Sequence, residues 1–167
     1  MQQLYAFDPT PKSIEFVESL RMQDKIDDRF VFQDIALIAD KEQTEMKMYL
    51  PKNSNHVSGS SKQVDHLGGN AITVKALDLQ RMMEQNGHTH IDLLKVDVEG
   101  AEFEVFEGLL ADYMPFCNQV LVEQHERFGG TKGTIALIQW FMNNDFKLLH
   151  VEKGQEFTFI RDTSSNQ

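Results

Sequence analysis

Three short stretches of this 167-residue sequence carry side chains whose types and spacing can do acid–base chemistry. In Asp97-Val98-Glu99-Gly100-Ala101-Glu102, carboxylates cluster within a single turn's worth of chain. Such a cluster suits proton abstraction from a hydroxyl, or a hard divalent cation. Glu123-Gln124-His125-Glu126-Arg127 adds an imidazole, whose unperturbed pKa near ~6.5 makes it a general base or a metal ligand. Asp8 is the third, directly after Leu4-Tyr5-Ala6-Phe7 and before Pro9-Thr10-Pro11. A carboxylate at that place can accept hydrogen bonds from both hydroxyls of a ribose.

Each has a plainer reading. Carboxylates near a helix start are stabilised by the helix dipole, typically by ~0.3–1 kcal/mol each. That accounts for one acid in 97–102 better than for three, because like charges repel in a confined turn. A lone histidine after a strand is commonly an ordinary surface residue, and Asp8 can simply begin a proline-containing turn. Gly100 leaves room for close backbone approach. Lys95, inside an apolar run, must snorkel outward or meet a carboxylate.

The elements that must position these groups alternate between strand and helix patterns. Leu4–Phe7 reads as a strand stopped by prolines. Thr10 or Ser13 then caps a helix carrying Ile14, Val17 and Leu20, with Phe16 beside them, to about Asp24. Phe30 to Ile38 reads as one buried strand. Thr44 to Leu50 alternates Met46, Met48 and Leu50 against Glu45, Lys47 and Tyr49, the pattern of a half-buried strand. Residues 51–70 read as a polar surface loop, Ile72 and Val74 as a brief strand, and Leu77 to Met83 as a helix closed by Asn86-Gly87. Ile91–Asp97 reads as the strongest buried strand, followed by a helix with Ala101, Val105 and Leu109 on one stripe. Gln119–Glu123 is a strand, Ile135 to Met142 a helix, and Phe146–Val151 and Glu156–Ile160 the last strands. The alternation predicts an α/β fold with a largely parallel sheet. Neighbouring parallel strands lie ~4.8 Å apart, which brings His125 near Asp97 and Glu99.

Composition bounds the partners. With Lys plus Arg at 16 and Asp plus Glu at 26, the net charge is −10, which argues against nucleic acid as a partner. The hydrophobic fraction of 41% and charged fraction of 25% fit a folded globular chain. The longest aliphatic run, Ile35-Ala36-Leu37-Ile38-Ala39, is far short of the ~20 residues that span a bilayer, so no membrane partner is expected. Cys117 is the single cysteine, so no internal disulfide forms, and a lone thiol fits a reducing compartment. The spacings match no zinc-ligand pattern, so a tight structural zinc is not expected and no residue is assigned to a metal. The reading is one domain over residues 1–161 with a polar tail at 162–167. No basic-then-apolar leader opens the chain, and the cytoplasm is the default compartment.

Ile91-Asp92-Leu93-Leu94-Lys95-Val96-Asp97-Val98-Glu99-Gly100-Ala101-Glu102, with Val105, Glu107-Gly108 and Leu109 after it, resembles the signature strand-turn-helix of FkbM-type methyltransferases. Tyr5–Pro11 is similar to that family's second strand and its acidic end, and Ala36-Leu37 with Asp40 to the segment after the third. Leu121-Val122-Glu123 with His125 is similar to the fifth strand. Phe146–Glu152 and Phe157–Ile160 resemble the last strands of animal methyltransferase-like relatives. The resemblance implies a class I methyltransferase (Rossmann-like) sheet, mostly parallel with an antiparallel C-terminal strand, and S-adenosylmethionine as cofactor. It implies that Asp8 binds the cofactor ribose and that Ile35 and Ala36 line the adenine. It further implies that Asp97 and Glu99 face the methyl-transfer centre, with Glu99 or His125 as the base. The implied reaction is methylation of a hydroxyl oxygen on a small molecule or glycan.

The family's first strand and glycine-rich cofactor turn belong upstream of Leu4, so the chain is expected to be an amino-terminally incomplete version of the domain. Two other readings stay open. One is a non-catalytic methyltransferase-like module that holds a partner without cofactor. The other is a metal-assisted hydrolase built on Asp97, Glu99 and His125. The acceptor and the oligomeric state are not readable from these residues.

Overall fold

The computed structural model describes residues 3–52, 59–62, 70–106, 116–153 and 155–163, and the chain forms two compact units, Met1–Leu77 and Asp78–Gln167. In the first unit, β1 (Leu4–Phe7), α1 (Pro11–Met22) and β2 (Phe30–Gln33) form a β-α-β element. Its strands pair in parallel from Leu4↔Phe30 to Phe7↔Gln33. Pro11 sits in the first turn of α1, where its fixed φ suits the helix and its missing N–H costs nothing. Thr10 occupies the N-cap position, but its side chain makes no cap hydrogen bond.

The expected single strand from Phe30 to Ile38 is corrected: it breaks after Gln33. β3 (Ala36–Leu37) joins a different sheet, pairing in parallel with β5 (Ala71–Leu77). The break falls at Asp34-Ile35, with Asp34 exposed to solvent, so the chain leaves the first sheet at a charged residue. β4 (Glu45–Tyr49) runs antiparallel on the other side of β5. Its alternation is as expected, with Met48 buried and Met46 packed against the small core of Ala36, Ile38 and Ala76. Within the expected surface loop, residues 53–58 and 63–69 lie outside the described residues. Ser60, however, is buried and exchanges backbone hydrogen bonds with Tyr49 at 2.8 and 3.2 Å.

In the second unit, α2 (Leu79–Gln85) is capped by Asp78, which accepts the Arg81 N–H at 3.2 Å. It closes at Asn86-Gly87, with Gly87 at φ 67°. β6 (Ile91–Val96), β7 (Cys117–Glu123), β8 (Phe146–Glu152) and β9 (Glu156–Arg161) form a sheet in the order β6-β7-β9-β8. β6 and β7 are parallel, in register from Ile91↔Cys117 to Val96↔Val122. β9 is antiparallel to both neighbours. The fold is therefore mixed α/β with the expected antiparallel last strand, but the expectation of a mostly parallel sheet is corrected. The short link from Glu152 to Glu156 permits only a hairpin, which forces the antiparallel pairing.

β6 is not the most buried strand either. It has one sheet neighbour among the described residues, Leu93 is 56% exposed, and only Val96 is buried. Lys95 faces solvent rather than the core. The short α3 (Glu102–Val105) follows the acidic turn, and Glu107, Gly108 and Leu109 lie outside the described residues. α4 (Glu126–Asn143) starts well before the expected helix and is broken at Gly130, which takes φ 59°. Its inward face is Leu137 and Phe141, whereas Ile135 and Met142 are exposed. Phe141 stacks on Phe159 with ring centroids 4.0 Å apart and meets Phe106 edge-on at 4.9 Å. Burial of these aromatic rings stabilises the sheet that carries the acidic turn.

Candidate active site

Parallel pairing of β6 with β7 ends at Val96↔Val122, so both strands release their next residues at the same sheet edge. Asp97, Val98 and Glu99 follow β6; Glu123, Gln124 and His125 lead from β7 into α4. The β7 exit is held in place because the Gln124 N–H donates to the Gln155 carbonyl at 2.8 Å and the Gln124 side chain is buried. Two strand tips thus deliver an acidic turn and an imidazole to one place, as the sequence pattern predicts.

His125 is the hub. Its Nδ1 lies 2.6 Å from Glu102 Oε1, a carboxylate only 2% exposed. Its Nε2 faces Glu99 Oε2 at 3.2 Å, Asp97 Oδ1 at 3.9 Å and Glu123 Oε1 at 3.9 Å. Two lone-pair acceptors 3.2 Å apart repel unless a proton lies between them. The imidazole therefore holds its second proton to higher pH than a free histidine. The hydrogen bond to Glu102 is the largest cause, with the charges of Glu102, Glu99 and Asp97 adding to it and burial opposing it.

Asp97 likewise holds its proton to higher pH than an ordinary acid: its pKa is pushed up to about 6. Partial burial is the first cause and the neighbouring Glu123 charge the second; Glu99 adds to them, while His125 and Lys95 pull down. Both groups bind protons more tightly in the folded than in the unfolded chain. Stability from this site is thus present at low pH and lost as pH rises, first from 3.8 through about 6 as Asp97 ionises, then through the raised ionisation of His125. Asp97→Asn is expected to raise the melting temperature, and by more at about pH 8 than at about pH 4.5. Calorimetric scans of both proteins at the two pH values check this; an equal or larger gain in acid contradicts it.

The turn itself is strained and clasped. Glu99 takes φ 51° and Gly100 φ 106°, both in the left-handed half of the map. A non-glycine residue there costs about 1–3 kcal/mol and persists only where its surroundings hold it. The first turn of α4 does the holding. His125 binds Glu102, the Arg127 guanidinium hydrogen-bonds Glu99, and the Phe128 ring lies against Gly100. The Gly100 N–H in turn donates to Glu102 Oε1 at 2.9 Å. Phe128 also meets the His125 ring edge-on at 6.5 Å, and the Arg127 guanidinium carbon lies 5.0 Å from the centre of the Phe128 ring.

Asp97, Glu99 and His125 each present an atom within 4.8 Å of the others, a spacing a metal ion can bridge. Here, however, the protein supplies its own cations, because Arg127 pairs with Glu99 and His125 sits among the carboxylates. That arrangement favours proton chemistry over the metal-assisted reading.

The residues expected at a cofactor lie in the first unit. Asp8 is half-buried at the carboxyl end of β1; its Oδ1 accepts the Thr10 N–H at 2.8 Å and its Oδ2 the Ser13 hydroxyl at 2.6 Å. The plain turn reading of Asp8 is thus realised, and a carboxylate, with about four lone-pair directions, retains capacity for a diol. Ile35 is half-buried in the link between β2 and β3, while Ala36 is buried against the core of Ile38 and Ala76, which commits its methyl group to packing.

Glu102 is the member of this cluster that the sequence pattern places in the turn without assigning it a role. The signal was present: Glu102 falls three and four residues before Val105 and Phe106, on the same buried face. A carboxylate at a core-facing helical position needs a buried donor.

A family model described as the Methyltransferase FkbM domain matches residues 2–162. No curated protein and no solved structure gives a match.

Proposed function

The chain belongs to the FkbM methyltransferase family, and from that premise we propose that it methylates a hydroxyl oxygen of a small molecule or glycan, using S-adenosylmethionine. Each unit, taken by itself, carries donors that suit such a cofactor: in the first, Asp8 is a ribose-type acceptor at a strand end, and in the second, the Asp97–Glu99 turn offers negative charge to a cationic sulfur. When bound, the cofactor supplies a methyl group on positively charged sulfur.

The chain's own residues do the rest. His125 accepts the acceptor's hydroxyl proton at Nε2, the ring nitrogen that faces the carboxylate-lined side of the turn. Glu99 and Asp97 orient that hydroxyl and stabilise the imidazolium once it forms. The rate rises with pH as His125 loses its second proton, above the ordinary value for histidine. Negative charge around the base disfavours an anionic acceptor, in keeping with a neutral hydroxyl compound.

The single observation that carries this reading is the convergence of Asp97, Glu99 and Glu123 oxygens within 3.9 Å of His125 Nε2. Calorimetric titration of S-adenosylmethionine into the full-length protein tests it. Binding is expected, with Asp8→Asn weakening it about 10–100-fold through loss of charge-assisted hydrogen bonds. No heat of binding to the full-length protein overturns the reading in favour of a cofactor-free partner-binding module. Unchanged affinity in Asp8→Asn removes the ribose role alone.

A further inference from the structure

We propose that Glu102 is the positioning residue of the site: it fixes the tautomer and ring plane of His125 and does not itself touch the acceptor. The inference rests on the reading of His125 as the proton acceptor and assigns the group that keeps it in that role.

Glu102 is 2% exposed, so its carboxylate is closed to an acceptor arriving from solvent. Its Oε1 lies 2.6 Å from His125 Nδ1 and accepts the Gly100 N–H at 2.9 Å. The backbone donor comes from a residue locked at φ 106° under the Phe128 ring, so the carboxylate has a rigid support. Carboxylates face both ring nitrogens, but Glu102 is buried and lies 2.6 Å from Nδ1. Glu99 lies 3.2 Å from Nε2 and is already paired with Arg127, so the proton of neutral imidazole is held on Nδ1. The lone pair is thereby left on Nε2, the nitrogen on the side of Asp97, Glu99 and Glu123. With the opposite tautomer, Nε2 carries a hydrogen and has no lone pair with which to take a proton.

The groups that face this pair come from every neighbouring element. Asp97 follows β6, with Lys95 beside it in that strand; Glu99 comes from the turn and Glu123 from β7, and Arg127 on α4 pairs with Glu99. Of these, Glu102 alone engages Nδ1. The others set the charge around His125, whereas Glu102 sets which nitrogen is the base.

The test uses the full-length protein with 15N-labelled histidine, without cofactor or acceptor. Nitrogen chemical shifts read the tautomer and the titration of His125 directly. In the unaltered protein, neutral His125 is expected to carry its proton on Nδ1. In Glu102→Gln, a substitution of nearly equal shape, the titration midpoint is expected to move to lower pH by about one unit or more, and the two tautomers to mix. With methyl transfer assayed alongside, kcat is expected to fall at least about tenfold, with the KM for S-adenosylmethionine unchanged and the acidic limb of the pH profile moved to lower pH.

A proton on Nε2 of neutral His125 in the unaltered protein overturns the proposal, whether or not the variant folds. An unmoved titration midpoint in Glu102→Gln overturns it as well. Should both nitrogen measurements come out as expected while the protein transfers no methyl group, the positioning role stands and the reading of the site as a methyltransferase centre is what fails.

Discussion

His125→Asn is expected to slow methyl transfer by about 10²–10⁴-fold, the usual contribution of a positioned general base. Asparagine is the informative choice because its amide N–H falls near the place of Nδ1. Glu102, 2% exposed and bound to Nδ1 at 2.6 Å, then keeps a donor. Alanine leaves that carboxylate with the Gly100 N–H alone, and a buried charge stripped of its partner costs about 3–5 kcal/mol, confounding rate with folding. The variant is also expected to lose the rise in rate with pH that His125 imposes, since asparagine does not titrate. Affinity for S-adenosylmethionine should change little, because the base meets the acceptor's proton rather than the cofactor's nucleoside. Steady-state kinetics across pH check all three expectations, and a variant within about threefold of the parent rate contradicts the assignment.

The second large effect is structural in origin. Gly100→Ala is expected to destabilise the fold by about 2–5 kcal/mol, combining left-handed strain with overpacking. At φ 106°, a new Cβ lands 2.3 to 2.6 Å from ring atoms of Phe128. The ring cannot simply yield, because it is part of the clasp that α4 places on the acidic turn. Any shift there carries Glu102 with it, through the Gly100 N–H, so activity should fall together with stability. Chemical denaturation of the single variant and of the pair with Phe128→Ala separates the causes. Removing the ring should relieve the steric part of the penalty and leave the backbone part. An equal penalty with and without the ring contradicts the contact as the cause, and tolerance of alanine within about 0.5 kcal/mol contradicts both terms.

Much of this site was readable before any coordinates. Asp97 and His125 each follow an apolar, β-branched run, and parallel neighbours put such tips side by side, as β6 and β7 do. The proline pair after Asp8 marked the end of β1 and the start of α1, and the Met46–Met48 alternation marked the inward face of β4. What escaped the sequence pattern depended on tertiary context. The run from Phe30 to Ile38 contains no glycine or proline, so nothing local marks the exit from the first sheet near Asp34. Ile91–Val96 is apolar enough for a central strand, yet composition does not say which strand has one neighbour and which has two. The extension of α4 from Ile135 back to Glu126 crosses two adjacent glycines, residues that argue against helix. It is this improbable first turn that brings Arg127 and Phe128 onto the acidic turn.

Glu102 illustrates the same limit more finely. Its type and spacing suggested one more member of an acidic cluster, whereas its burial beside Val105 and Phe106 makes it the hidden partner of His125. The three other carboxylates are 37%, 19% and 29% exposed at Asp97, Glu99 and Glu123, so they can meet an incoming ligand while Glu102 cannot. Four similar side chains thereby differ in burial and in which ring nitrogen of His125 they face.

In a methyl-transfer centre built this way the reacting methyl group lies beside His125, and nuclear Overhauser contacts from S-adenosylmethionine carrying a 13C-labelled sulfonium methyl read this directly. With the labelled cofactor bound to the full-length protein, contacts are expected from that methyl to the ring protons of His125 and the Cβ protons of Asp97. Bound cofactor whose methyl contacts neither residue would contradict the account.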